Sequence, residues 1–403
     1  MSSESFLNEF QKLLNPVERW NGEPKTLKEI FESKLEQYGL TFNQAEKLLS
    51  MQNRSLQGIL DNSAKRVDVV NLLKLGQFLG LNTETLVKYY INEASVDLVN
   101  ELNDARKKSY IVANFDLKNL LKGKFLSSKS DFDEIEERIT TYFGLDNIYE
   151  YSDKSYIPAF SRTKRSANLL MREFWVRSAV MHFEKINNPN EFDRAGLISL
   201  IPKIRPYTMN VERGLRVVTQ ALYNVGLTVI YQPHLPTTQV RGATFFVDGK
   251  PGIVLTDLNK NYATIWFALM HEIYHVLYDL EEIEKQTFHL TGEPDLFLLQ
   301  EDKANEFSRD YLFSKEKSKY ISSYISSPHI VKEYAQKNQV HPAFVYNFYC
   351  FDQEKEYNKK QWGRFTNQQP DVKLALSELN INTFENHNIE QTIEYLNANI
   401  FNI

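Results

Sequence analysis

The chain has one cysteine, Cys350, among its 403 residues. A single thiol cannot form an intramolecular disulfide, which fits a protein of the reducing cytosol. No stretch reaches the roughly 18 consecutive apolar residues of a membrane span. The first residues also lack the basic and apolar regions of a secretory signal. These absences predict a cytoplasmic protein that does not cross a membrane.

The chain also lacks an excess of positive charge, with 47 Lys and Arg against 52 Asp and Glu. The formal net charge is −5, so the molecule as a whole is not an electrostatic nucleic-acid binder, and any such role requires a local patch. The 26 Phe and 22 Tyr residues supply apolar cores. Because the chain is too long for one ordinary core, two or three domains are expected.

The spacing of apolar residues predicts a mainly α fold with a small β-sheet. We expect five regions along the chain: an N-terminal extension (1–24), a bundle of short helices (25–95), a helical linker (96–160), an α+β domain (161–315) and a helical C-terminal region (316–403).

The sheet is predicted directly before one helix. The segments LTVIYQP, GATFFV and GIVLTD read as strands, and Asp248-Gly249 between the last two favours a hairpin turn. The helix Ile265–Tyr278 follows them.

That helix carries an H-E-x-x-H motif. Residues four apart lie on one face of an α-helix, so His271 and His275 can hold one metal ion, and Glu272 can reach a water on it. This is the zincin signature, and it predicts zinc with Glu272 as general base in peptide-bond hydrolysis. The alternative is that His271 is a core histidine and His275 a surface one.

A catalytic zinc takes a third protein ligand. Glu301 lies in a later segment with helical spacing and is a candidate for this ligand. Asn305, four residues later, is expected to orient a histidine through a hydrogen bond to the ring nitrogen that does not bind the metal. Spacing alone leaves four rival ligands: Asp302, Glu306, Glu293 and Asp295. The sequence also leaves open which of Tyr274, His234 and Tyr262 stabilises an oxyanion. The strands before the helix could pair with an extended substrate by adding it to the edge of the sheet.

The run from Leu227 to Tyr278, followed by EDKANEFSRDYLF, resembles the ImmA/IrrE family of bacterial metallopeptidases. The shared features are Gly242-Ala243-Thr244, the H-E-x-x-H helix and a later E-x-x-A-N-x-F helix. The resemblance implies that His271, His275 and Glu301 hold zinc and that Glu272 is the general base. Leu269, Met270 and Ser308 depart from the family pattern, but none of them is a ligand.

Residues 25–90 resemble a helix-turn-helix of the lambda-repressor/Cro type, as found in HigA-like antitoxins, through Gly39-Leu40-Thr41 and Leu56. The resemblance implies DNA contacts from six residues: Asn53, Arg54, Ser55, Gln57, Lys65 and Arg66. This segment holds nine Lys and Arg against seven Asp and Glu, so useful affinity would need a homodimer. The alternative is an interaction domain that has lost DNA binding.

These resemblances imply a regulatory, site-selective zinc endopeptidase with a DNA-binding domain. Its protein substrate would be a repressor or a regulatory partner, in stress response, mobile-element control or toxin–antitoxin regulation. The alternative function is a helix-turn-helix regulator or antitoxin whose zinc site is structural or sensory. A general degradative protease is less favoured, because nothing in the sequence suggests secretion.

Overall fold

The computed structural model describes residues 26–64, 66–93, 96–152, 167–258, 260–291, 301–355, 360–379, 383–386 and 388–401. The predicted extension, 1–24, therefore lies outside the described residues. Contacts divide the chain into two compact units, Met1–Ala113 and Asn114–Ile403, and this division falls within the segment predicted as a linker. The described residues are mostly helical with one four-stranded sheet, so the predicted mainly α fold class is confirmed. None of the described helices is long and apolar enough to span a membrane.

Five short helices and the greater part of a longer one form the first unit. They are α1 (Leu27–Tyr38), α2 (Phe42–Leu49), α3 (Asn53–Leu60), α4 (Val69–Leu79), α5 (Thr83–Asn92) and α6 (Val96–Asn114). Thr41 is the N-cap of α2 and forms a capping box with Gln44. Phe31, Leu56 and Leu75 are buried at the centre of one apolar core, which joins α1, α3 and α4.

The second unit begins with five helices that precede its sheet in the chain. They are α7 (Leu117–Lys122), α8 (Phe132–Phe143), α9 (Ala167–Ile186), α10 (Arg194–Ile204) and α11 (Gly214–Asn224). Trp175 and Phe174 of α9 are buried, and Trp175 packs beside Phe245 of the sheet with ring centroids 6.4 Å apart.

The sheet has four strands: β1 (Thr228–Tyr231), β2 (Gly242–Val247), β3 (Lys250–Leu255) and β4 (Phe288–Thr291). Their order is β1-β3-β2-β4, with β1 parallel to β3 and the other pairs antiparallel. Asp248 and Gly249 both have positive φ, 49° and 78°, which confirms the predicted two-residue hairpin turn. Strand β4 was not predicted, because the sequence after Leu280 reads as helical.

The helix with the H-E-x-x-H motif is α12 (Tyr262–Tyr278), followed by α13 (Leu280–Gln286). It starts three residues before the predicted Ile265, because Asn261 caps it by accepting from the backbone N–H of Thr264. It packs against β2, β3 and α14 (Glu301–Phe313). The remaining helices are α15 (Lys315–Ser322), α16 (Pro328–Lys337), α17 (Pro342–Lys355), α18 (Lys360–Phe365), α19 (Val372–Leu376) and α20 (Ile389–Leu396).

Candidate functional site

His271 and His275 point at each other from successive turns of α12. Their Nε2 atoms are 3.1 Å apart, and their exposed fractions are 2% and 0%. His275 is therefore not a surface histidine, and the Nε2 atoms of both imidazoles face the same buried position. This is the geometry that the four-residue spacing predicts.

Glu301, the first residue of α14, brings its carboxylate to the same point. Its Oε2 is 3.2 Å from Nε2 of His271, and its Oε1 is 3.4 Å from Nε2 of His275. Fully buried Ala304, one turn later, lets α14 approach α12 closely. Of the rival ligands, Asp302 and Glu306 are exposed on α14, whereas Glu293 and Asp295 lie outside the described residues.

The spacing of these three donors can be compared with that of zinc ligands. His271, His275 and Glu301 are the group of His, Cys, Asp and Glu that could hold a metal among the described residues. Ligands about 2.0–2.2 Å from a tetrahedral zinc lie about 3.3 Å from one another. The two Nε2 atoms are 3.1 Å apart, and the 3.2 and 3.4 Å distances join them to different oxygens of Glu301. With one ligand atom from each residue, the three atoms all lie within 4.8 Å of one another, so the cluster could hold a metal ion, and its donors are of the types that zinc takes.

The protonation of the cluster also favours a cation. Burial lowers the pKa of His275, but hydrogen bonds with Asp279 and Glu301 outweigh burial and raise the pKa to about 9. Burial raises the pKa of Glu301, but hydrogen bonds with His271, His275 and His289 outweigh it and hold the pKa well below its usual range. A positive charge is thus stabilised at this point, whether a proton or a metal ion supplies it.

Asp279 orients His275. Its Oδ2 lies 2.7 Å from Nδ1 of His275, so Nδ1 donates this hydrogen bond and Nε2 faces the centre, where a metal ion would take the place of a proton on Nε2. Asn305, predicted for an orienting role, is exposed, and no hydrogen bond joins it to a histidine among the described residues. Sequence reasoning missed Asp279, although it follows His275 by four residues. Residues four apart lie on one face of a helix, so the spacing that pairs His271 with His275 also pairs His275 with Asp279.

The carboxylate of Glu272 is enclosed beside strand β2. Glu272 is fully buried, and its Oε2 accepts a hydrogen bond of 2.7 Å from the hydroxyl of Thr244. Its Oε1 has no hydrogen-bond partner among the described residues. A Cβ at Gly242 would lie 2.6 Å from Oε1, so glycine there makes room for this oxygen. A buried carboxylate with one unpaired oxygen is costly for stability, which is typical of a functional group.

A third histidine, His289 of β4, adjoins the cluster. Its Nε2 is 2.9 Å from Oε1 of Glu301, and its ring centroid is 4.7 Å from that of His275. No sequence pattern identified it, because it comes from a strand that was not predicted.

The other polar candidates have different partners. Tyr262 donates its hydroxyl to the carbonyl of Thr208 at 2.6 Å. The Nδ1 of His234 is 3.3 Å from the hydroxyl of Thr238, and the ring of Tyr274 packs against Phe307. None of the three has a hydrogen bond to the ligand cluster among the described residues.

The predicted DNA-contact residues lie on and after α3 in the first unit. Arg54, Gln57 and Arg66 are exposed, and Ser55 is half-buried. The amide of Asn53 donates to Glu46 at 3.2 Å. Lys65 lies outside the described residues. The α2–α3 pair, joined by Ser50-Met51-Gln52, has the connectivity of a helix-turn-helix.

Comparison of the chain with protein-family models, with curated proteins and with solved structures gives no match.

Proposed function

We propose that this chain is a zinc-dependent endopeptidase whose ligands are His271, His275 and Glu301. The observation that carries the proposal is the meeting of two buried imidazoles, with Nε2 atoms 3.1 Å apart, and the carboxylate of Glu301, whose two oxygens lie 3.2 Å from Nε2 of His271 and 3.4 Å from Nε2 of His275. Glu272 lies on the same helix and supplies a buried acid–base group.

The number of donors that meet at this point among the described residues favours catalysis over a structural role. Structural zinc sites are closed by four protein ligands, whereas catalytic sites have three and leave one position open. The side chain of Glu301 is 41% exposed, so the cluster is open to solvent on that side. Zinc bound there would supply a Lewis acid and lower the pKa of a water to about 7.

Glu272 serves as the general base and then as the general acid. Thr244 fixes Oε2, and Oε1 is left without a partner among the described residues, so Oε1 can take the proton of the attacking water. The same oxygen then returns the proton to the leaving amine. The edge of β2 that would adjoin an extended substrate is already paired with β4. A substrate would therefore approach the outer side of β4.

The Glu272→Gln variant tests this function. Zinc content and the abundance of new protein N-termini are compared in cells that carry the wild type or the variant. We expect equal zinc content and the loss of a small set of cleavage products in the variant. If the variant keeps both its zinc and every cleavage product, the endopeptidase proposal is wrong, and a regulator with a structural or sensory zinc site becomes the better explanation.

We also propose that the first unit binds DNA through α3, which would make the cleaved protein a repressor or a regulatory partner. The exposed cluster of Arg54, Gln57 and Arg66 supports this. Gel-shift titration against genomic fragments is the test, with Arg54→Ala and Arg66→Ala as variants and Lys34→Ala of α1 as a matched loss of charge. We expect the two arginine variants alone to weaken binding and to reduce its salt dependence. Equal affinity in all four proteins would contradict the proposal.

A further inference from the structure

One cross-strand pair touches both carboxylates of the centre. Thr244 of β2 and His289 of β4 are register partners in the antiparallel pair. Side chains directly opposite each other lie on the same face of a sheet. Thr244 contacts Glu272 at 2.7 Å, and His289 contacts Glu301 at 2.9 Å.

The contact between His289 and Glu301 has a defined direction. A carboxylate oxygen accepts only, so Nε2 of His289 carries the proton and donates it to Oε1 of Glu301. His289 also lies outside the candidate ligand group of His271, His275 and Glu301, whose ligand atoms all lie within 4.8 Å of one another.

Glu301 needs such a restraint more than the two histidines do. It is the first residue of α14, and its side chain is 41% exposed, whereas the histidines are enclosed at 2% and 0%. Fixing a glutamate side chain costs rotamer entropy, because its torsions are free while it is exposed to water. The buried ring of His289 offers a rigid donor from a strand that is itself hydrogen-bonded to β2.

We propose that His289 is a positioning residue, which fixes the carboxylate of Glu301 for metal binding and makes β4 part of the metal site. The inference depends on the proposed zinc site. If the inference holds, metal affinity depends on the conformation of β4, the edge strand that a substrate would approach.

The test of the inference is the metal affinity of the full-length chain. It is measured for variants in which His289 is replaced by residues of similar volume. His289→Leu removes the donor, and His289→Gln keeps an N–H donor at a similar reach. Leu290→Ala, on the same strand, is the control. Zinc affinity is measured by competition with a chromophoric chelator, the ligand field is followed in the visible spectrum of the Co²⁺-loaded protein, and folding is checked by thermal melting. If the leucine variant does not fold, His289→Ala replaces it.

We expect His289→Leu to bind zinc about 10- to 100-fold more weakly than the wild type, as is usual when a residue supporting a ligand is lost. His289→Gln should recover most of the affinity, and Leu290→Ala should match the wild type. Equal affinities in the wild type and a folded His289→Leu protein would overturn the inference alone. A loss as complete as that of His271→Ala, without rescue by glutamine and with an altered Co²⁺ spectrum, would make His289 a ligand instead. Failure of the wild type to bind zinc or Co²⁺ would overturn the proposed function itself.

Discussion

Thr244 and His289 face each other across strands β2 and β4, and each donates a hydrogen bond to a different carboxylate. The carboxylates belong to Glu272 on α12 and Glu301 on α14. The helices α12 and α14 thus carry the two carboxylates, and the β2–β4 strand pair fixes their positions by hydrogen bonds. Because the two donors share one register, a shift of β4 by one residue would turn His289 to the other face of the sheet and away from Glu301.

Thr244→Val keeps the shape of the side chain but removes the hydroxyl that donates to Glu272, which is the one side-chain donor to this carboxylate among the described residues. A hydrogen bond to a charged group contributes about 1.5–3 kcal/mol, so we expect peptide hydrolysis to fall about 10- to 100-fold. Zinc content should not change, since Thr244 has no hydrogen bond to His271, His275 or Glu301 among the described residues. Thr244→Ser, which keeps the hydroxyl, should retain most of the activity. Equal rates for the valine and serine variants would show that the hydroxyl has no role.

Gly242→Ala places a methyl group where Oε1 of Glu272 now lies, because the new Cβ would be 2.6 Å from that oxygen. We expect the carboxylate to be displaced and hydrolysis to fall at least 10-fold with zinc retained. Gly363→Ala is the matched control, since its added methyl group meets no atom within 4 Å. Wild-type activity in Gly242→Ala, measured beside this control, would rule out a spatial role for the glycine.

Asp279→Ala leaves Nδ1 of His275 without its partner. Loss of such a partner reduces metal affinity by about 10- to 100-fold, which equilibrium dialysis against zinc buffers can measure. Asp302→Ala, which removes an exposed acid of α14, should bind zinc like the wild type. If Asp302→Ala is the variant that loses zinc, the assignment of Glu301 as a ligand is wrong.

Acid should destabilise the second unit through His182 on α9. Burial lowers the pKa of His182 from 6.5 to about 4, against the opposing effect of its hydrogen bond to the carbonyl of Ser178. Between pH 6.5 and pH 4 the unfolded chain binds a proton that the folded protein does not, so stability decreases as the pH falls through this window. The loss attributable to His182 amounts to about 3 kcal/mol.

His182→Gln removes this titration while keeping a polar side chain of similar size. Urea unfolding midpoints from pH 7.5 to pH 4.5 should fall less steeply for the variant than for the wild type. Parallel curves would mean that His182 titrates normally in the folded protein.

The sequence was sufficient wherever one helix or one turn decides the geometry. The facing of His271 and His275 follows from 3.6 residues per turn, and the hairpin at Asp248 follows from the backbone that Asp-Gly readily adopts. Asp279 obeys the same helical rule and could have been found from it. Asn305 shows the limit of that rule. It is four residues after Glu301 on the same helix, but the rule does not say whether the histidines lie close enough to contact both residues.

What the sequence by itself determined is the motif, its helix, the β2–β3 hairpin and the mainly α fold class. Only the tertiary structure placed Glu301 against the histidines, Thr244 against Glu272 and His289 against Glu301. These contacts join a sheet and two helices, and His289 comes from a four-residue strand. The hydrogen bonds that define such a strand are made with a distant part of the chain, so no local pattern of residues encodes them.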